Sequence, residues 1–206
     1  MAERRRAFVA LVLAALLPLA ACGQQEPRTE ETFTAGLDQP YEPADVPLVD
    51  TDGKPFDLAA DTDADLTLLF FGYTHCPDVC QQVMSTIAAA RLRLPEEERS
   101  RLDVVLITTD PARDTGPVLR DYLDRFDPSF IGVTGELDDI VELGDSLAVY
   151  IGKGRRLPSG GYEVQHNDHI EALMADDTVT ALWPRDVSAA DLAADLQYLL
   201  DHAEAS

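Results

Sequence analysis

Two cysteines, Cys76 and Cys80, are the residues of this chain whose type and spacing most directly suggest chemistry. They follow the apolar run Leu66–Phe71, which predicts a buried strand, and they lie at the start of a predicted helix. Residues four apart on a helix share one face, one turn from each other. Free backbone N–H groups at a helix start also favour a thiolate. Two such sulfurs can bind a soft metal ion or close a disulfide.

The number of available ligands limits which metal ions this pair could hold. Two thiolates are too few for a closed zinc site, which takes four nitrogen or sulfur ligands. Two thiolates and one imidazole suit copper, because thiolates prefer Cu(I) and an imidazole gives some tolerance for Cu(II). The candidate imidazoles are His166 and His169, which follow the Gly-, Arg- and Lys-rich segment 152–161 and precede a predicted strand. We expect the remaining histidines, His75 and His202, to be packing or surface residues.

The N-terminal residues predict export and lipidation. Arg4–Arg6 is a basic segment, and Ala7–Leu19 is an apolar segment too short to span a bilayer comfortably. The sequence Leu19-Ala20-Ala21-Cys22 resembles the bacterial lipobox, in which cleavage leaves the cysteine at the N-terminus for lipid attachment. We therefore expect residues 1–21 to be a lipoprotein signal peptide. Cys22 would then be the lipid anchor in the cell membrane, with the domain facing outside the cytoplasm, where the other two cysteines form a closed pair and disulfides persist.

The composition predicts one globular domain behind a flexible tether. The chain has 206 residues, of which 46% are apolar, enough for one core. Its formal net charge of -22 argues against nucleic-acid binding, which needs basic patches for phosphate contacts. Residues 22–44 are mostly polar and predict a membrane tether, and residues 45–203 predict the domain.

Strands that alternate with helices along the domain predict an α/β fold. We expect a central mixed sheet flanked by helices, with an N-terminal β-hairpin closed by Asp52-Gly53. Cysteines directly after a central strand suggest, by analogy, a thioredoxin-like arrangement. The predicted strands are 46–49, 54–58, 66–71, 102–108, 130–133, 170–174 and 179–183, and the predicted helices are 78–94, 117–126, 137–148 and 188–200.

A resemblance to a known family sharpens this expectation. The segment Gly72–Cys80, with the sequence GYTHCPDVC, resembles the signature of the SCO/SenC family of copper chaperones for cytochrome c oxidase assembly. Thr109–Thr115 and Gly132–Gly135 are similar to further family segments, and the resemblance covers about residues 45–200. It implies a thioredoxin-like fold with a hairpin insertion. It also implies one copper ion per chain, Cu(I) or Cu(II), bound by the two cysteines and a distant histidine.

The resemblance also bears on which histidine completes the site. The family pattern Tyr-x-Val-Asp-His matches the residues that end at His166, except that Gln165 replaces the usual acid. Counting back from the following strand falls between His166 and His169. The resemblance implies Cys76, Cys80 and His166 as metal ligands, with His169 as the alternative.

The expected function is delivery of copper to the dinuclear copper site of a cytochrome c oxidase. The expected partners are the oxidase subunit that carries this site, other extracytoplasmic copper carriers, and the membrane through the lipid anchor. Asp110 and Asp114, in the second matching segment, could belong to a partner-docking surface or could be turn and cap residues.

Two other functions remain for comparison. A thiol–disulfide oxidoreductase could keep the copper-ligand cysteines of the oxidase reduced. Dedicated oxidoreductases usually carry Cys-x-x-Cys, however, and no proline directly precedes the Ile170 strand, where thioredoxins place one. A peroxiredoxin needs Pro-x-x-x-Thr-x-x-Cys, which Leu69 and Tyr73 do not match when the motif ends at Cys76. Reductase activity could still accompany copper delivery.

Overall fold

The computed structural model describes residues 27–62, 64–77, 79–156 and 162–203. For residues 153–156 and 162–164 it describes the backbone. The expected signal peptide and Cys22 lie outside the described residues.

The described strands form one large sheet and a separate two-stranded ribbon. Leu66–Phe71 and Leu102–Thr108 run parallel at the centre of the large sheet, and nearly every side chain of both is buried. Apolar side chains on both faces explain why these two segments take the central positions. The strands are β1 (Gly36–Tyr41), β2 (Leu48–Asp50), β3 (Pro55–Phe56), β4 (Leu66–Gly72), β5 (Leu102–Thr108), β6 (Ile131–Gly135), β7 (Ile151–Arg156), β8 (Tyr162–His166), β9 (Ile170–Met174) and β10 (Val179–Trp183).

The sheet is mixed, with the order β1-β10-β9-β4-β5-β6-β2-β3. β4, β5 and β6 are parallel, whereas β9 runs antiparallel to β4 and pairs Ile170 with Phe70. The end of β4 and the beginning of β9 therefore meet at one edge of the sheet. β2 and β3 form the predicted N-terminal hairpin, and Gly53 supplies the positive φ of 79° that its turn requires.

Helices cover both faces of the sheet. Residues of the first, third and fifth helices share a core with Leu68 and Phe70, and the fourth helix packs over Leu69 and Phe71 on the other face. Among the described residues, none of the helices has the length and apolarity needed to cross a membrane. The helices are α1 (Val79–Arg91), α2 (Glu96–Arg99), α3 (Gly116–Leu123), α4 (Leu137–Ser146) and α5 (Ala189–Ala203).

This architecture confirms the predicted thioredoxin-like α/β fold, and two segments differ from the sequence-based expectation. Residues 36–41, expected to be part of the tether, form β1 and pair with β10. Their side chains are polar or half-exposed, as suits an edge strand that is held by backbone hydrogen bonds. Part of segment 152–161, where no strand was predicted, belongs to β7, which forms the two-stranded ribbon with β8.

Candidate metal centre

Cys76 and Cys80 lie where β4 ends and α1 begins. A tight turn follows Gly72, in which the N–H of Cys76 donates to the carbonyl of Tyr73 at 3.2 Å. Cys80 lies in the first turn of α1, and its N–H donates to Sγ of Cys76 at 3.4 Å. Cys76 therefore occupies the helix start, where the backbone favours negative charge. Both are free thiols.

The two cysteine residues differ in exposure to solvent. Cys76 is 8% exposed and Cys80 is fully buried. The hydrogen bond with Cys76 and burial away from water together raise the pKa of the Cys80 thiol strongly. Cys76 is therefore the sulfur that an incoming ion or thiol reaches first, and Cys80 is the inner one.

The absence of a side chain at Gly72 makes room for the inner sulfur. A Cβ at position 72 would lie 3.3 Å from Sγ of Cys80 and only 2.8 Å from Cε1 of Phe70. The end of β4 can therefore approach α1 closely only with glycine at this position.

His166 approaches the pair from the end of β8. Its Nε2 lies 3.9 Å from Sγ of Cys80. The ring packs edge-on against Tyr73 and Phe70, with centroid distances of 5.9 and 6.4 Å. Its Nδ1 lies 2.6 Å from the carbonyl oxygen of Asn167, so Nδ1 carries the proton and donates. Nε2 therefore presents its lone pair towards the sulfur, as a metal-ligating imidazole does.

The separation of 3.9 Å between Nε2 of His166 and Sγ of Cys80 fits an ion held between them. Metal–sulfur and metal–nitrogen bonds of about 2.3 and 2.0 Å, as at zinc, place two ligands roughly 3.5–3.7 Å apart at angles of 110–120°. No three His, Cys, Asp or Glu side chains form a completed metal-binding group within the described parts of the chain. Closure around an ion would thus need small movements of these side chains.

His169 lies away from this cluster. Its Nε2 is 3.0 Å from Oε1 of Glu171, a fully buried carboxylate of β9. Glu171 and its neighbour Ile170 alternate along β9, and Ile170 belongs to the core that contains Cys80. Glu171 therefore lies on the opposite face of the sheet from Cys80. The geometry favours His166 over His169 as the partner of the two sulfurs.

A buried carboxylate holds the cysteine turn in place. Asp114 is fully buried and accepts from the N–H of Thr74 at 2.8 Å and from its hydroxyl at 2.6 Å. The hydroxyl of Thr108 donates to the same carboxylate at 2.8 Å. Asp110 is also fully buried and pairs with Arg113. Both aspartates are therefore turn residues inside the protein, not parts of an exposed docking surface.

The remaining histidines are exposed. His75, at the tip of the turn, has 56% of its side chain exposed, with Nδ1 2.9 Å from the hydroxyl oxygen of Thr74. His202, near the end of α5, donates from Nδ1 to the carbonyl of Tyr198 at 2.6 Å. Neither ring forms part of the cluster around Cys80.

Tyr122 of α3 is a neighbour of the thiols that the sequence pattern does not indicate. Its hydroxyl is buried and lacks a hydrogen-bond partner within the described residues. Burial raises its pKa, and negative charge on Cys80 and Cys76 raises it further. The apolar spacing of α3 gives no sign of this proximity, because it depends on how α3 packs against α1. Asn167 was also missed, since its contribution is a backbone carbonyl.

Solved structures of other proteins share this fold. The apo Sco1 protein of Thermus thermophilus is 30% identical, with a TM-score of 0.70, covering 81% of this chain and 96% of that one. ScoI of Bradyrhizobium japonicum, solved with copper bound, is 28% identical, with a TM-score of 0.65, covering 80% of this chain and 99% of that one.

Sequence comparison agrees with the structural comparison. A putative copper-binding protein of Stutzerimonas stutzeri is 34% identical over 181 residues, which cover 84% of this chain and 83% of that protein. The chain spans between 40% and 64% of the length of mitochondrial relatives named SCO2. The family described as SCO1/SenC matches residues 32–201. With the cysteine turn, the adjacent histidine and the fold in agreement, the chain belongs to the SCO1/SenC family.

Proposed function

We propose that this chain is an extracytoplasmic copper chaperone that delivers copper to the dinuclear copper site of a cytochrome c oxidase during assembly. The observation that carries the proposal is the position of Nε2 of His166, 3.9 Å from Sγ of Cys80 and with its lone pair towards it. Two thiolates and one imidazole suit Cu(I) and also tolerate Cu(II). The similarity to a protein solved with copper bound supports copper as the ion.

The proposed delivery works by ligand exchange. Cys76 is the outer ligand because it retains some exposure, whereas Cys80 and His166 close the site from within. A recipient thiolate would displace Cys76 first and the inner ligands afterwards, so copper stays bound throughout. Three ligands leave a coordination position through which a fourth ligand can enter. The oxidase as recipient follows from the family resemblance, and other extracytoplasmic copper carriers are the proposed donors.

A Cu(I) titration of the reduced domain tests the ligand set. We expect one tightly bound copper per chain, loss of tight binding in Cys76→Ala and Cys80→Ala, and weaker binding in His166→Ala. His169→Ala is the matched control, because this histidine is nearby in sequence but contacts Glu171 instead. It should bind copper as the unmodified protein does. If His169→Ala weakened binding and His166→Ala did not, the ligand assignment would be wrong.

Thiol–disulfide exchange is the second candidate function, favoured by one outer and one fully buried free thiol. The same preparation distinguishes it from copper delivery. Rapid reduction of a dithiol-dependent substrate, together with no copper binding, would favour the oxidoreductase. Tight copper binding with slow reduction would favour the chaperone.

We also propose that Cys22 is acylated and anchors the domain to the outer face of the cell membrane. The lipobox-like sequence before it supports this proposal. Cys22→Ser should move the protein from the membrane fraction to the soluble extracytoplasmic fraction and abolish incorporation of a labelled fatty acid. Incorporation that persisted in Cys22→Ser would contradict the assignment, and Cys76→Ser serves as the control for a cysteine that is not acylated.

A further inference from the structure

His75 presents an imidazole at the outer edge of the centre. It lies at the tip of the turn that the Cys76 N–H closes onto the Tyr73 carbonyl. More than half of its side chain, 56%, is exposed, although it directly precedes the outer cysteine. An exposed imidazole next to a metal-binding thiol can itself bind a metal ion.

The neighbouring hydrogen bonds determine which ring nitrogen is free. The hydroxyl of Thr74 donates to Oδ1 of Asp114 at 2.6 Å, so that its lone pairs remain available to accept. Nδ1 of His75 lies 2.9 Å from this hydroxyl oxygen and 3.5 Å from Oδ1 of Asp114. Because Nδ1 faces two hydrogen-bond acceptors, the hydroxyl oxygen of Thr74 and Oδ1 of Asp114, Nδ1 carries the proton. Nε2 of His75 therefore keeps its lone pair and faces away from the turn.

The same arrangement fixes His166, where Nδ1 is bound to a backbone carbonyl and Nε2 faces Cys80. The inner site and the exposed turn thus each have an imidazole whose Nε2 is free, His166 in the site and His75 in the turn. His75 is an exposed residue, whereas Cys76 is 8% exposed and Cys80 is fully buried. A copper ion still held by a bulky carrier meets His75 before either sulfur.

We propose that His75 is a transfer ligand, which binds copper briefly during its passage between a carrier and the inner site. This inference rests on the proposed copper-chaperone function. Nε2 of His75 binds Cu(I) as one ligand of the carrier leaves, and Sγ of Cys76 binds next, releasing its proton to water as the carrier's remaining ligands leave the ion. The bond to His75 breaks when Cys80, which also releases its thiol proton to water, and His166 complete the inner site. Copper stays Cu(I) throughout, and delivery follows the reverse order.

Rapid mixing of the reduced protein with the Cu(I)–bicinchoninate complex tests the proposal, because the coloured chelator reports each transfer. The variants are His75→Leu, which cannot ligate, and His75→Met, which is of similar size and carries a thioether that binds Cu(I). His202→Leu is the matched control, since that ring is also exposed and also bound through Nδ1. Equilibrium affinity for Cu(I) and unfolding by urea are measured for each variant.

We expect His75→Leu to take up copper about tenfold more slowly. This corresponds to about 1.4 kcal/mol of lost transition-state stabilisation. Its final copper content, affinity and stability should match those of the unmodified protein. His75→Met should recover most of the rate, which a purely structural role of the imidazole would not allow. Rates within twofold for His75→Leu, or equal slowing in Leu and Met variants, would overturn the inference. Absence of copper binding by the unmodified protein would instead refute the proposed function.

Discussion

His166 is prepared for metal binding before any ion arrives. The carbonyl of Asn167 accepts from Nδ1, so that Nε2 keeps its lone pair on the side of Cys80. No tautomer change is needed when an ion enters, and the edge-on contacts with Tyr73 and Phe70 limit rotation of the ring. A preorganised ligand of this kind lowers the cost of ordering at binding.

Glu171 makes the stability of the protein depend on pH. Burial raises the pKa of this carboxyl group above its ordinary value of 4.5, and the hydrogen bond from His169 offsets part of the rise. The folded state therefore binds this proton more tightly than the unfolded state. The resulting contribution to stability is complete below about pH 4.5 and is lost as the pH rises through the raised pKa of the folded state.

Glu171→Gln should remove this dependence, because glutamine stays neutral and keeps the size of the side chain. We expect the free energy of unfolding of the variant, relative to that of the unmodified protein, to increase as the pH rises from 4.5 to neutral. Urea unfolding at a series of pH values measures this difference. Glu142→Gln, at an exposed position of α4, controls for the loss of one negative charge. A difference that did not change with pH would contradict this account of Glu171.

At the scale of elements, the turn between β4 and α1 depends on a residue 40 positions away. Asp114, which is itself fully buried, accepts two hydrogen bonds from Thr74 and one from Thr108. An amide at this position would direct its NH₂ group at one of these donors. A buried donor without an acceptor costs about 1–3 kcal/mol.

Asp114→Asn should therefore lower the free energy of unfolding by about 1–3 kcal/mol. It should also weaken Cu(I) binding, because the turn that carries Cys76 loses its support. Urea unfolding and competition with a Cu(I) chelator measure the two effects. Asp121→Asn, at an exposed position of α3, is the control and should change neither quantity. Unchanged copper affinity in a destabilised Asp114→Asn would show that the turn is held by other contacts.

The elements also show what sequence patterns can predict. β5, β9 and β10 match the predicted bounds, and β4 extends one residue beyond its predicted end, because their apolar runs are buried. α1 ends at Arg91, three residues before the predicted end, since Pro95 disfavours helical conformation at the residue before it. β1 was missed because the side chains of this edge strand are exposed or half-buried, and β7 and β8 were missed because they pair with each other outside the large sheet.

The candidate site was only partly predictable for a related reason. The spacing of Cys76 and Cys80 is local, so the sequence indicates their proximity directly. The choice between His166 and His169 depends on contacts distant in sequence. Alternation along β9 places Glu171, the partner of His169, on the sheet face opposite Cys80, whereas His166 ends β8, which pairs with β7 outside the large sheet. The support from Asp114 requires contacts across 40 residues, for which the chain has no local pattern.

At the scale of the whole molecule, the segment before β1 is attached to α5. The guanidinium group of Arg28 contacts Asp195 at 2.5 Å and Asp191 at 2.9 Å. The second carboxylate oxygen of Asp195 accepts from Nε1 of Trp183 at 2.8 Å. Phe33 stacks on Tyr198 of the same helix, with ring centroids 4.8 Å apart. Residues 28–41 therefore belong to the folded domain.

In Arg28→Ala, the nearly buried carboxylate of Asp195 should keep the hydrogen bond from Trp183 and lose its ion pair with Arg28. We expect a loss of about 1–3 kcal/mol in the free energy of unfolding, measured with urea. Arg185→Ala is the comparison, because its ion pair with Asp168 is exposed and should contribute less than about 1 kcal/mol. Equal losses in the two variants would argue that the Arg28 contacts resemble an ordinary surface pair.

The position of Arg28 also limits the distance between the domain and the membrane. Arg28 contacts α5 beside Trp183, which pairs with Ile170 at the edge of the sheet where β4 ends. With Cys22 acylated as proposed, the six peptide units from Cys22 to Arg28 reach at most about 22 Å. The metal centre would then stay in a thin layer next to the lipid headgroups. Copper handover would then take place within this layer, and not in the bulk solution.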